Sequence, residues 1–84
     1  MNVTVFGSHL CPGTLAALNQ LSAAGVDVNF RDILSCHADL RAYLHLRETH
    51  EIYADIRGTE RLGIPCMICE DGTITMDVEE VLKK

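Results

Sequence analysis

The residues with the clearest chemical potential lie in SHLCPGTLAALNQLSAAG, residues 8–25, where one cysteine directly precedes an apolar helical pattern. Pro12 suits the first position of a helix, because the N–H it lacks would have no partner there. Cys11 then caps the helix, and the unpaired N–H groups and the helix dipole stabilise its thiolate and lower its pKa. Thr14 can offer an N–H and a hydroxyl to the sulfur, and Gly13 leaves open space. The pattern predicts a reactive thiol; the alternative is an inert cysteine beside a turn.

The other cysteines do not form a metal-binding pattern. Cys66 and Cys69 have the spacing of a zinc knuckle, but strand residues three apart point to opposite faces, and structural zinc needs four converging ligands. Cys36 and His37 have no matching pair elsewhere in the chain. We predict no metal site and a core position for Cys69. Cys66 has two interpretations, as a thiol that resolves a disulfide on Cys11 or as a small apolar group in a buried strand.

Three charged or titratable residues are candidates for a supporting role. His9 could carry a positive charge near the thiolate or accept a proton, or it could be an exposed loop histidine. Arg57 and Arg61 precede Pro65 in the chain and could bind a substrate carboxylate. The other charges of the middle helices are typical of solvated helix faces.

Length and charge restrict the classes of function. A chain of 84 residues has room for one domain, residues 1–84. A net charge of −5 with seven Lys and Arg argues against nucleic acid or an anionic membrane as partner. No apolar run approaches the ~20 residues of a membrane span, and MNVTVFGSHL lacks a basic region followed by an apolar one. We therefore predict a cytoplasmic protein with mostly reduced cysteines.

The first half of the chain predicts a strand, a helix and a second strand. The strands are expected at Val3–Phe6 and Val26–Ile33, and Gly25 is expected to end the helix between them. The inward face of that helix is predicted from helical spacing as Leu15, Leu18, Leu21 and Ala24. Ser35 is expected to cap a second helix with an inward face of Leu40, Tyr43 and Leu44. Thr49 is expected to cap a short continuation with Ile52 and Ile56 inward, interrupted at Gly58.

The second half predicts a hairpin and a last helix. Cys66–Cys69 and Thr73–Thr75 read as strands joined at Asp71 and Gly72, and Asp77 as the cap of the final helix, with Glu80 at capping-box spacing. The resulting order is βαβα(α)ββα. This order predicts an α/β protein with a small four-stranded mixed sheet flanked by helices.

The chain combines CPGT at a helix start, a βαβ unit, and GIPCMICEDG leading through a hairpin to a short helix. In this combination it resembles a small glutaredoxin of the thioredoxin superfamily. The resemblance covers nearly the whole chain and implies a thioredoxin-like fold. It implies that Cys11 is the nucleophile, that Pro65 is cis and lies against it, and that the backbone of Ile64 binds a peptide or glutathione. A cis proline is also compatible with a strand start.

The resemblance also implies a monothiol cycle, because Thr14 replaces the second cysteine of dithiol members. Cys11 would attack a glutathionylated thiol and be released by a second glutathione. The implied catalytic residues are Cys11, Pro12 and Thr14. The implied substrate-binding residues are His9, Gly13, Ile64, Pro65, Met76 and Asp77. The implied partners are glutathione or another small thiol and disulfide-bearing protein substrates, with no tightly bound cofactor.

The chain departs from the family pattern at two glutathione-binding marks. Ser8 replaces a common lysine, and Thr75 and Met76 replace paired glycines, whereas Asp77 follows where polar residues hold the γ-glutamyl end. Two alternative functions stay open. An iron-sulfur or metal carrier is one, although Pro12 differs from the usual Cys-Gly-Phe-Ser of carriers. A non-catalytic thioredoxin-fold module that binds extended peptides beside Pro65 is the other.

Overall fold

The computed structural model describes all residues, Met1–Lys84. It contains four strands, three α-helices and one short 3₁₀ helix, confirming an α/β protein with a mixed sheet flanked by helices. In chain order these are β1 Asn2–Gly7, α1 Pro12–Ala23, β2 Asp27–Asp32, α2 His37–Thr49, the 3₁₀ helix Glu51–Tyr53, β3 Cys66–Cys69, β4 Ile74–Thr75 and α3 Val78–Leu82. None of the helices combines the length and the apolar character needed to cross a membrane.

The four strands form one sheet in the order β2-β1-β3-β4. Strand β1 runs parallel to β2 and antiparallel to β3, and β3 and β4 form an antiparallel hairpin. Because a parallel pair needs a crossover connection, α1 carries the chain from β1 back to the start of β2. At the centre of the sheet Val5 lies between Phe30 of β2 and Met67 of β3. Residues 8–11 join the end of β1 to the start of α1.

Each face of the sheet has its own hydrophobic cluster. The face covered by α1 and α3 buries Val3, Val5, Leu21, Met67, Cys69 and Val81. The face covered by α2 and the 3₁₀ helix buries Phe6, Ile33, Tyr43, Tyr53, Ile56 and Cys66. Successive strand residues alternate between faces, so Cys66 and Cys69 lie on opposite sides of the sheet. The sheet therefore separates the two thiols, as the two-residue period of a strand predicts.

Two predicted helix faces are partly wrong. In α1 the buried residues are Thr14, Ala17 and Leu21, whereas Leu15 is 44% exposed and Ala24 is also exposed. In α2 Tyr43 is buried but Leu44 is 43% exposed. Each helix is rotated relative to the predicted face, because packing against the sheet selects one stripe of side chains among those that have helical spacing.

Among the helices that follow β2, two predicted caps are wrong and one is confirmed. Cys36 rather than Ser35 is the N-cap of α2, because the Ser35 hydroxyl donates to Asp32. The Thr49 hydroxyl donates to a carbonyl of its own helix, and His50 caps the 3₁₀ helix by accepting the N–H of residue 52. Asp77 caps α3 as predicted, accepting the N–H of residue 79 at 3.0 Å.

Candidate functional site

The loop between β1 and α1 places Cys11 at the start of the helix. The buried Ser8 organises this loop, because its carbonyl accepts the N–H of Cys11 and its hydroxyl accepts the N–H of Leu10, each at 3.0 Å. Cys11 has an extended backbone, with φ −95° and ψ 116°, and it is the N-cap residue that precedes Pro12. Its side chain is partly exposed. The structure therefore has the cysteine, the proline and the helix start in the predicted arrangement.

Thr14 lies fully buried beneath the cysteine. Its Oγ1 accepts the N–H of Ser8 at 3.3 Å, which leaves the hydroxyl hydrogen free to turn toward the sulfur. Gly7 leaves the space in which the Thr14 side chain packs against the end of β1, because a Cβ at Gly7 would lie 2.5 Å from Thr14 Cγ2 and 2.6 Å from its Oγ1. The end of β1 thus holds Thr14 in one position.

The electrostatic environment of the Cys11 sulfur favours the thiolate. The Thr14 hydroxyl makes the largest contribution to lowering the pKa of Cys11, the N–H groups of Thr14 and Gly13 add to it, and partial desolvation opposes them. The Cys11 side chain makes no hydrogen bond that caps α1. The three donors therefore act on the sulfur as neighbours, and their effect is larger for the charged thiolate than for the neutral thiol.

Pro65 lies near Cys11. The Ile64–Pro65 peptide bond is cis, as the resemblance implies. A Cβ at Gly13 would lie 3.7 Å from Pro65 Cδ and 3.8 Å from Cys11 Sγ, so the ring and the sulfur flank the same point. The structure therefore brings together Cys11, Gly13, Thr14 and Pro65.

An apolar groove of about 460 Å³ opens beside Cys11. Three of its residues are unusually exposed leucines: Leu10 at 70%, Leu62 at 63% and Leu34 at 57%. The complete lining is Ser8, Leu10, Cys11, Ile33, Leu34, Leu40, Leu62 and Ile64. Only Ile64 among these residues belongs to the predicted substrate-binding set. The three exposed leucines were not predicted as binding residues. Their one signal in the sequence is that each stands in a connecting segment, where polar residues are more common.

Two tyrosines fix the segment that supplies Leu62 and Ile64. The hydroxyl of Tyr43 donates to the carbonyl of Leu62, and that of Tyr53 donates to the carbonyl of Gly63 at 3.0 Å. Burial raises the pKa of both tyrosines, so both remain protonated donors. Gly63 has φ +76°, and a Cβ there would lie 2.5 Å from the ring of Tyr53. This side of the groove is therefore held by buried side chains.

His9 is paired with Asp32. Its Nδ1 lies 2.5 Å from Asp32 Oδ2, and the imidazole is about half exposed. The carboxylate also accepts the N–H of Leu34 and the hydroxyl of Ser35, each at 2.9 Å. Desolvation raises the pKa of Asp32, but the hydrogen bonds from Leu34, Ser35 and His9 outweigh it and lower that pKa. The pair ties the loop before Cys11 to the end of β2.

Cys66 has an environment opposite to that of Cys11. It is fully buried, and burial raises its pKa, while the nearby Tyr53 hydroxyl partly opposes that rise. All four cysteines are free thiols. No group of three or more His, Cys, Asp or Glu side chains converges where a metal ion could be held.

The remaining predicted binding residues lie outside the groove lining. Met76 packs against the cluster on the α2 face, and Asp77 caps α3. Arg57 donates to the carbonyls of residues 47 and 50, which occupies the guanidinium. Arg61 lines a smaller neighbouring cavity of about 210 Å³ together with Glu60. None of these four residues lines the groove beside Cys11.

Comparison with known proteins finds a distant relative but no family. The chain is 23% identical over 77 residues to a protein of Haemophilus influenzae described as uncharacterized, and the match covers 92% of this chain and 90% of the relative. No model of a known protein family matches the chain. No solved structure matches it either.

Proposed function

We propose that this protein is a thiol–disulfide oxidoreductase of glutaredoxin type in which Cys11 is the nucleophile. The observation that carries the proposal is the Cys11 sulfur at the start of α1, where the Thr14 hydroxyl and two backbone N–H groups lower its pKa and an open groove gives access to it. A lowered pKa and partial exposure are the two properties that distinguish reactive cysteines from structural ones.

The architecture supports a thioredoxin-like fold as part of this proposal. The order βαβα(α)ββα predicted from the sequence pattern agrees with the observed elements, and α1 and α3 lie on one face of the sheet with α2 on the other. The proximity of Pro65 to the sulfur is a second point of agreement.

The proposed reaction is thiol–disulfide exchange. The Cys11 thiolate attacks one sulfur of a substrate disulfide, a new S–S bond forms to Cys11, and the other substrate sulfur leaves with the electron pair as a thiolate. A small free thiol then attacks the mixed disulfide and releases Cys11 as a thiolate. One further thiol completes the two-electron reduction, so the small thiol is oxidised and the substrate disulfide is reduced. Glutathione as that small thiol is a prediction from the resemblance.

The roles of the neighbouring residues follow from their contacts. Thr14 stabilises the thiolate both before attack and when Cys11 is the leaving group. Pro12 starts the helix without adding an N–H that needs a partner. Cys66 is buried and its pKa is raised, so an external thiol is favoured over Cys66 for the resolving step.

The test combines a pH profile with a turnover assay. Cys11 should react with iodoacetamide with a midpoint below the ordinary thiol pKa of about 8.5, as followed by peptide mass spectrometry. Cys36, an exposed cysteine at the start of α2, provides an internal reference for access of the reagent. Cys11→Ser should abolish reduction of a mixed disulfide. An ordinary midpoint with turnover retained by Cys11→Ser would exclude Cys11 as the nucleophile.

The apolar groove favours a binding module as the second candidate function. In that case Cys11 would have an ordinary pKa, and Cys11→Ser would still bind an apolar peptide as tightly as the unmodified chain. Titration of a fluorescent peptide into both proteins, together with the alkylation profile, separates this function from redox catalysis.

A further inference from the structure

We infer that the groove beside Cys11 binds the peptide part of the substrate, and that this substrate is a neutral or basic peptide with bulky apolar side chains next to its disulfide-bonded cysteine. The inference rests on the proposed function and names the substrate class of the same site. We call this surface the leucine groove; it is formed by Leu10, Ile33, Leu34, Leu40, Leu62 and Ile64.

Large apolar side chains are exposed beside the nucleophile. Leu10, Leu34 and Leu62 come from three separate connecting segments and converge around one groove, each with more than half of its surface exposed. Scattered leucines are normal on protein surfaces, but a contiguous apolar patch marks a site of interaction. The volume of the groove lies within the range of about 300–1,000 Å³ that ligand sites occupy. Apolar side chains of a substrate would remove these leucines from water.

The charges around the groove favour the same class of substrate. No lysine or arginine lines the leucine groove, and the chain carries a net charge of −5. Of the neighbouring basic residues, Arg47 donates to the carbonyls of residues 56 and 61, and Arg61 lines the adjacent smaller cavity rather than the leucine groove. Glutathione is a small anion with two carboxylates, and the groove offers neither of them a cationic partner. A neutral or basic apolar peptide complements both the lining and the net charge.

The groove is formed before the substrate arrives. Each exposed leucine has a backbone group held by a nearby side chain. The N–H of Leu10 donates to the Ser8 hydroxyl, the N–H of Leu34 donates to the Asp32 carboxylate, and the carbonyl of Leu62 accepts the Tyr43 hydroxyl. Binding to such a surface loses little conformational entropy in the loops, which leaves more of the apolar contact to appear as affinity.

The test is a single turnover, which needs no added reductant. The probe is a neutral pentapeptide with leucines on both sides of its cysteine, joined as a mixed disulfide to thionitrobenzoate. The Cys11 thiolate attacks the peptide sulfur, the bond from peptide to thionitrobenzoate breaks, and the coloured thionitrobenzoate anion leaves with the electron pair. The matched probes carry serines in place of the leucines or glutathione in place of the peptide. Each rate is divided by the rate of the same probe with free 2-mercaptoethanol.

We expect the leucine probe to react about tenfold faster than the serine and glutathione probes after this correction, the effect of burying roughly one leucine side chain. Leu62→Ala should remove most of that preference by slowing the reaction of the leucine probe. Leu15→Ala is the matched control, because Leu15 is also exposed but lies outside the groove, and it should retain the full preference. Peptide mass spectrometry should locate the peptide on Cys11.

The possible failures are distinguishable. Equal corrected rates for the three probes, with Cys11 still faster than the free thiol, would overturn the substrate class and leave the proposed function intact. A Leu62→Ala variant that keeps the tenfold preference would also overturn the inference. If no probe reacts with Cys11 faster than with the free thiol, the proposed function itself fails. Because Leu62 is exposed, this variant should unfold at the same denaturant concentration as the unmodified chain.

Discussion

Replacing Thr14 with valine tests the origin of Cys11 reactivity most directly. Valine has nearly the shape of threonine but lacks the hydroxyl, which accepts the N–H of Ser8 at 3.3 Å and makes the largest contribution to lowering the pKa of Cys11. Thr14 is fully buried, so water cannot replace the hydroxyl. Thr14→Val should therefore raise the pKa of Cys11 without changing the course of α1.

The size of the effect follows from the strength of one hydrogen bond. A hydrogen bond to a charged group contributes about 1.5–3 kcal/mol, and partial exposure of the Cys11 sulfur reduces this to about 1 kcal/mol. That energy corresponds to roughly fivefold less thiolate at neutral pH. The remaining thiolate is more basic and roughly twofold more nucleophilic, since the Brønsted coefficient is about 0.4–0.5. The net alkylation rate at neutral pH should fall about two- to threefold.

The assay is the pH dependence of Cys11 alkylation by iodoacetamide, measured for the unmodified chain, Thr14→Val and Thr14→Ser. The midpoint should rise in Thr14→Val and stay near the original in Thr14→Ser, which keeps a hydroxyl. Chemical denaturation should show a loss of about 1 kcal/mol in Thr14→Val, since the N–H of Ser8 loses its partner. An unchanged midpoint in a folded Thr14→Val would refute the reasoning, because the helix start alone would then account for the reactivity of Cys11.

Two further predictions concern stability. Gly63→Ala should destabilise the fold by about 2–4 kcal/mol, because it combines a positive φ with a clash against Tyr53. Gly58→Ala should cost only about 1–2 kcal/mol, because Gly58 has φ +81° but open space around it. Equal losses of stability in urea titrations would contradict the clash. Because burial raises the pKa of Cys66 in the folded state, the protonated thiol contributes stability that is fully present below the unfolded-state pKa. That contribution is lost as pH rises through the folded-state pKa. The free energy of unfolding should therefore decline above about pH 8.5, less steeply in Cys66→Ala, and an identical slope would contradict the buried protonated thiol.

Features that depend on neighbours along the chain were predictable from the sequence alone. The start of α1 at Pro12 and the cap at Asp77 are confirmed, because a missing N–H and a short carboxylate side chain act within one helical turn. Gly25 and Gly72 have the positive φ that a helix end and a tight turn require. The opposite faces of Cys66 and Cys69 follow from the two-residue period of a strand.

Features that depend on which elements meet were decided by the tertiary structure. Helical spacing allows several stripes of α1 to face inward, and only packing against the sheet, where Thr14 lies against Gly7, selects Thr14 over Leu15. The leucine groove forms from residues 10, 34 and 62, which are far apart in the chain. Whether an apolar side chain is buried or left exposed depends on the elements that cover it. The reactivity of Cys11 therefore depends on residues adjacent to it in the sequence, whereas the surface that would select its substrate forms only after the sheet and helices have packed.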